Sequence, residues 1–375
     1  MTTDARPDRV AGSPFARLRT SATRVAEVLA APLLPTDYLD MVAPLRAGAE
    51  LRARVVAITP ETADAATITL RPGRDWAGHR AGQYIRLGID IDGVRRWRAY
   101  SITSPADRTD GLITITVKAM ADGLVSRHLV HDARPGTLVM LDQASGDFVL
   151  PEVLPERLLF VTGGSGITPV MGMLRSHDLS GTDVVLLHSA PTPADVIFAA
   201  ELAAERPGVR VVVRHTDDEG MLSPQMLDDV VPDWRERQAW ACGPTPMLDA
   251  FEEHFAGHGL TEAMHVERFR PVLAVTGDGG SVTMLDTARP TASPTFEVDG
   301  ATTILDAAED AGVLMPSGCR MGICMGCVLP LTDGAVRDLR TGIVTETTTD
   351  DPPVKVQTCI SAAAGACTIQ QKERA

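Results

Sequence analysis

Aromatic residues are scarce in this chain: Phe, Trp and Tyr together account for 4 % of 375 residues. Any ring beside a motif therefore merits individual reading. No apolar run reaches the length of a membrane span, and the first residues lack the apolar core and cleavage site of a signal peptide. Basic charge is also short, with 35 Lys and Arg against 49 Asp and Glu and a net charge of −14. That balance disfavours nonspecific nucleic-acid binding and calls for a partner with a basic face. Six cysteines are too few for a disulfide framework in a chain of this length. A cytoplasmic protein is the simplest expectation.

What is present reads as an ordinary globular composition, 44 % apolar and 22 % charged. The length calls for two or three domains. Residues 1–48 form a distinct N-terminal extension. Phe15, Leu18, Val25, Val28 and Leu29 recur at helical spacing among Arg17, Arg19 and Arg24, and the run breaks at Pro32 and Pro35. This predicts one amphipathic helix and a Pro-containing connector, docked on the body or facing a membrane or partner. Residues 49–153 switch to short β-rich runs parted by Gly, Pro and Asp, the pattern of an antiparallel barrel. Residues 154–271 alternate buried strands with helical stretches, implying a parallel sheet with crossover helices. Residues 272–293 are rich in Gly, Ser, Thr and Pro and read as a linker. Residues 294–375 hold short strands, one helix near Leu305–Ala311 and the main cysteine group.

Cys319, Cys324 and Cys327 follow the spacing C-x4-C-x2-C, and 31 residues separate Cys327 from Cys359. This is the plant-type arrangement in which four thiolates hold a [2Fe–2S] cluster. Gly318, Gly322 and Gly326 let the backbone bend around such a group and aim N–H donors at its sulfurs. Zinc usually takes paired short knuckles, which this loop does not supply. Cys367 falls outside the pattern and reads as a buried structural thiol. A low-potential, one-electron centre needs an upstream group that splits a two-electron donor into single electrons.

The segment Arg98-Ala99-Tyr100-Ser101 ends a predicted barrel strand. Further along, Gly123 and Ser126 mark a helix start where free N–H groups and a hydroxyl can hold a pyrophosphate. Between Phe160 and Leu174, a strand runs through Gly163, Gly164, Ser165 and Gly166 into a helix near Thr168 and Pro169. Strand, Gly-rich turn and helix N-terminus together suit a diphosphate, although the G-x-G-x-x-G fingerprint is absent. Pro169 fits a first helical turn.

In this order the motifs resemble the ferredoxin–NADP reductase superfamily, over about residues 50–375. The resemblance implies a multidomain fold: a flavin-binding antiparallel β-barrel, an α/β parallel-sheet nucleotide domain and a β-grasp ferredoxin domain. It places Arg98 on a flavin phosphate, Tyr100 against the isoalloxazine and Ser101 beside N5. Gly123 and Ser126 would cradle the pyrophosphate, which favours FAD; relatives of the phthalate dioxygenase reductase type use FMN instead. Gly163, Gly164, Gly166 and Thr168 would form the nicotinamide-nucleotide loop. Cys242 and Gly243, in a C-G-P segment, would line the hydride-transfer site. Glu267 and Phe269 would polarise or shield the flavin face, or belong to the linker. Arg214 and His215 occupy the place where members receive the 2′-phosphate of NADPH, and an Arg fork suits that dianion, so NADPH is expected over NADH.

Ser101 and Cys242 are thus the candidate catalytic residues. The expected activity is transfer of electrons from NAD(P)H through flavin and cluster to a separate acceptor. No facial triad, di-iron helix motif or haem-cysteine signature is evident, so terminal oxidation belongs to the partner. The segment Leu29–Leu45, followed by Gly48–Ile58, resembles actinobacterial reductases that feed membrane fatty-acid desaturases of the acyl-CoA or acyl-lipid type. Close relatives serve alkane hydroxylases and other monooxygenases, cytochromes P450 or Rieske dioxygenases. A desaturase would give the N-terminal helix a use at the inner face of the plasma membrane. A redox-sensing subunit that binds flavin and cluster without turnover is the alternative of another class.

Overall fold

Alternation of small and branched apolar residues with polar ones drives the first sheet. In the computed structural model, which describes residues 35–121, 123–269, 275–276, 278–285, 293–313, 315–317, 320, 322 and 325–371, six strands pair antiparallel. They are β1 (Arg52–Pro60), β2 (Ala65–Pro72), β3 (Tyr84–Ile91), β4 (Val94–Ser101), β5 (Ile113–Lys118) and β6 (Leu138–Leu141), in the order β4-β3-β6-β1-β2-β5. A bridge between Ile102 and Ile115 joins the two outer strands and closes the sheet into a barrel. Ile68, Leu70, Ile85, Leu87 and Ile115 are fully buried inside it.

The second sheet is wholly parallel. Its strands are β7 (Arg157–Gly163), β8 (Asp183–Ala190), β9 (Val209–His215), β10 (Gln238–Cys242) and β11 (Met264–Glu267), in the order β11-β10-β7-β8-β9. Both faces are covered, so its strands read as continuous apolar runs. Leu158, Phe160 and Leu186 belong to the core on one face, and Leu159, Val161 and Leu187 to the core on the other. At the opposite end from the Gly-rich turn, buried Arg237 ties the strand starts together. It donates to Leu158 O (3.1 Å) and Asp183 O (2.9 Å) and pairs with Asp183 (2.7 Å) and Asp233 (2.8 Å).

The third sheet is mixed: β12 (Gly280–Leu285), β13 (Thr295–Val298), β14 (Val328–Asp338), β15 (Val344–Thr347), β16 (Val354–Gln357) and β17 (Ser361–Gln370). Its order is β13-β12-β17-β14-β15, with β16 on β14 and a parallel pair between β12 and β17. The helix Ile304–Asp310 buries Ile304, Leu305, Ala307 and Ala308. Cys367 is buried on β17, and burial, ahead of the charge of Asp333, pushes its thiol up to about 11.

Two sequence expectations change here. Residues 280–285, read as linker, are a strand whose Val282 and Met284 are fully buried. Their Gly- and Ser-rich flank hid a two-residue alternation too short to stand out. Pro35, read as part of a connector, opens the helix α1 (Pro35–Val42), since proline fits a first helical turn. The amphipathic helix expected around Phe15 to Leu29 lies outside the described residues. Among the described residues, no helix is long and apolar enough to cross a membrane.

Candidate flavin, nicotinamide and cluster sites

Arg98, Ala99, Tyr100 and Ser101 close β4, each opposite a residue of β3 from Leu87 to Tyr84. Strand alternation puts Arg98 and Tyr100 on one face and Ala99 and Ser101 on the other. Arg98 is half-buried and donates to Trp97 O at 2.8 Å. Burial, then the nearby charge of Arg320, lowers its hold on the proton. Tyr100 packs against the barrel core, and burial pushes its phenol well up. Ser101 is buried. Gly123 caps the short helix α2 (Leu124–Arg127). A Cβ at Gly123 would sit 2.3 Å from Ser126 Oγ. That hydroxyl accepts from Met120 N and donates to Gly123 O, both at 3.1 Å, so it shapes the turn.

The Gly-rich turn joins β7 to α3 (Ile167–Ser176) through a 3₁₀ turn at Gly164–Gly166. Thr168 fastens it by donating to Ser165 O at 2.9 Å. The turn is packed backbone to backbone on the C-G-P segment. A Cβ at Gly166 would lie 2.0 Å from Cys242 O, one at Gly163 would lie 2.7 Å from Pro244 Cδ, and one at Gly243 would lie 3.0 Å from Gly163 N. Glycine is required at this close approach.

Strand register then sets out a line across the carboxyl edge of the sheet. Glu267 pairs with Cys242, Cys242 with Thr162, Gly163 with Ser189, and Ser189 with Arg214. From Cys242 to Arg214 is three strand steps, roughly 14 Å at the usual sheet spacing. Carboxyl strand ends are where open α/β sheets take ligands. Cys242 is fully buried, and burial first, then the charge of Glu267, keeps its thiol protonated. Burial, then the charge of Asp147, pushes the Glu267 carboxyl up to about 7. Arg214 donates to Gly220 O at 2.7 Å and to Glu219 O, with the Glu219 carboxylate 3.6 Å away. His215 follows it at the end of β9, its backbone N–H held by Glu219 at 2.9 Å. Phe269, just past β11, is 38 % exposed.

α3 also reaches the end of β4, a contact that the sequence did not announce. A Cβ at Gly172 would sit 2.5 Å from Ile102 O, the residue after Ser101. One turn on, Arg175 donates to Thr103 O at 2.7 Å while gripping Glu201. One helix therefore touches the Gly-rich turn at its start and the residues just past β4 at its end.

Cys327 and Cys359 bring their sulfurs to 3.1 Å in a buried group with Leu305 and Ile360. That is too long for a disulfide and sets the two sulfurs side by side as candidate ligands of one group. Gln357 donates to Gly322 O at 2.9 Å, anchoring the loop between the other two cysteines. Cys319 and Cys324 themselves lie outside the described residues.

Family comparisons agree with this division. Residues 53–149 match the oxidoreductase FAD-binding domain, 160–253 the oxidoreductase NAD-binding domain and 290–364 the 2Fe-2S iron-sulfur cluster binding domain. The chain is 45 % identical to an NADPH oxidoreductase of Mycobacterium tuberculosis, over 98 % of this chain and 96 % of that one. The chain belongs to the ferredoxin–NADP reductase-type three-domain reductases. It is also 31 % identical to the ferredoxin reductase component of 3-ketosteroid-9-alpha-monooxygenase of Mycolicibacterium smegmatis, over 76 % of this chain and 87 % of that one. Phthalate dioxygenase reductase shares the fold, with a TM-score of 0.61 at 21 % identity, covering 85 % of this chain and 97 % of that one. As a reductase of this type, the chain uses NAD(P)H, FAD and a [2Fe–2S] cluster.

Proposed function

We propose that this reductase takes electrons from NADPH at the carboxyl edge of the parallel sheet and hands them singly to a separate oxygen-activating enzyme. The observation that carries this reading is α3, which packs Gly172 on Ile102 O and so sets the nucleotide turn beside the flavin strand. When bound, the flavin accepts an electron pair and the cluster carries electrons one at a time.

In this reading Arg98 binds the flavin phosphate and Tyr100 stacks on the ring from one face of the strand, while Ala99 meets the flavin through its backbone and Ser101, at the strand end, lies beside N5. Gly123 and Ser126 form the turn that receives the FAD pyrophosphate. Gly163, Gly164, Gly166 and Thr168 cradle the NADPH diphosphate, while Arg214 and His215 meet the 2′-phosphate. For Arg214 that means exchanging Glu219 for the phosphate. Cys242 and Gly243 line the nicotinamide, Glu267 holds a proton near neutrality beside them, and Phe269 shields the site. Cys319, Cys324, Cys327 and Cys359 hold the cluster.

Support for NADPH comes from the name of the Mycobacterium tuberculosis relative, and for an oxygenase from that of the Mycolicibacterium smegmatis one. The finer assignment is a membrane fatty-acid desaturase. It is supported by α1, which exposes Leu39, Met41 and Val42 for peripheral contact at the inner membrane face.

Anaerobic titration with NADPH and, separately, NADH tests the core reading. Bleaching of the flavin band and then of the iron–sulfur shoulder at low NADPH is expected. Equal reduction by NADH would remove the NADPH preference, and bleaching by neither would leave a sensor. Desaturase-containing membranes given NADPH and this protein should convert labelled acyl-CoA. Failure to do so, with cytochrome c still reduced, would redirect the search to soluble oxygenases.

A further inference from the structure

The flavin strand and the cluster loop are joined by one carboxylate. Glu309 lies on the helix Ile304–Asp310 of the cluster domain. Its Oε2 accepts from Arg96 Nη1 of β4 at 3.4 Å, and its Oε1 accepts from Arg320. Arg320 also donates to Asp306 at 2.5 Å, one turn earlier on the same helix. The Arg96 and Glu309 side chains are only 22 % and 18 % exposed. Arg96 stands two residues before Arg98 on the same strand face. Arg320 directly follows Cys319 in the chain. A second tie runs alongside: Arg86 of β3 donates to Ser317 O at 3.3 Å.

The backbone at Arg320 has φ 60, a left-handed conformation that a side chain disfavours. Such a conformation persists where its surroundings over-determine it, and the two carboxylates on Arg320 supply that constraint.

We propose that Glu309 is a positioning residue for electron passage from flavin to cluster, latching the cluster loop onto the flavin strand. The proposal rests on the reading of β4 as the flavin site. Arg98 already lies in the field of Arg320, Glu309 and Asp306. Without the Glu309 charge, Arg96 loses its partner while Arg320 keeps Asp306. Arg96, Arg98 and Arg320 then repel one another across the domain boundary and the loop loosens from the strand, with the Arg86 to Ser317 bond left as a tie.

The test uses the loaded protein and two variants, Glu309→Gln on the cluster side and Arg96→Gln on the flavin side. Mixed anaerobically with NADPH, wild type should bleach the flavin band first and the iron–sulfur shoulder second. In both variants the first phase should hold while the second slows by about tenfold, because breaking a half-buried pair strands its partner. Small-angle scattering should show a larger radius of gyration in both variants. An unchanged second phase with an unchanged radius overturns the latch. Absence of either phase in wild type overturns the flavin and cluster reading instead. If Glu309→Gln fails to keep its cluster, Arg96→Gln decides, because Arg96 lies outside the cluster domain. A slowed second phase there upholds the latch, and a normal one refutes it.

Discussion

Glu267 and Cys242 face each other in register on the last two strands of the sheet edge, and neither is charged in an ordinary way. Burial, more than the neighbouring Asp147, lifts the Glu267 carboxyl from 4.5 to about 7. A carboxyl that binds its proton more tightly folded than unfolded stabilises the fold fully below the ordinary value. That contribution drains away as pH rises to about 7. Glu267→Gln cannot ionise, so its stability relative to wild type should be greater at pH 8 than at pH 5. Urea midpoints of both proteins at the two pH values would show it, and parallel pH dependences would refute it. Cys242, kept as a thiol by the same burial, acts in this picture through shape and packing rather than as a nucleophile.

At the scale of elements, α3 carries two jobs at its two ends. Gly172→Ala would put a methyl group 2.5 Å from Ile102 O, a backbone atom that cannot swing aside. The helix must then stand off the flavin strand. Flavin content should persist while NADPH-driven bleaching slows about tenfold or more, given how steeply rates fall with misplacement on the order of 1 Å. Stopped-flow absorbance checks this; an unchanged rate would mean that α3 does not set the distance. The other end of the sheet serves stability alone. Arg237→Ala would strand Asp183 and Asp233 and orphan two strand carbonyls. A loss of about 2–3 kcal/mol is expected, discounted because the two acids are partly exposed. Thermal melts should report it, with the NADPH affinity of the folded protein unchanged.

Over the whole molecule, the cluster sheet has an apolar core of its own and meets the barrel through polar and charged contacts, whereas one apolar core of the parallel sheet also takes in Ala65, Ala81, Phe148 and Leu150 of the barrel domain. Function should divide at the boundary of the cluster domain. Cys359→Ser removes a proposed cluster ligand in the third domain. The variant should still bleach its flavin with NADPH but lose one-electron reduction of cytochrome c. Retained cytochrome c reduction would show that electrons leave from the flavin, not the cluster.

Much of this was legible in the chain. The cysteine spacing, the Gly-rich turn and the strand-end Arg98 to Ser101 are local patterns, because a cluster loop, a diphosphate turn and a strand end are each built from consecutive residues. Hydrophobic periodicity likewise separated the antiparallel sheet from the parallel one. The short strand Gly280–Leu285 escaped because its buried pair, Val282 and Met284, is too brief a signal among glycines and threonines. What no local pattern could supply is adjacency between distant segments. The sequence by itself determined which groups this reductase binds. The tertiary structure alone decided that Gly172 meets Ile102, that Glu267 loses its water beside Cys242, and that Glu309 joins Arg96 to Arg320. Close approach, desolvation and charge pairing depend on distance in space, and the sequence records only distance along the chain.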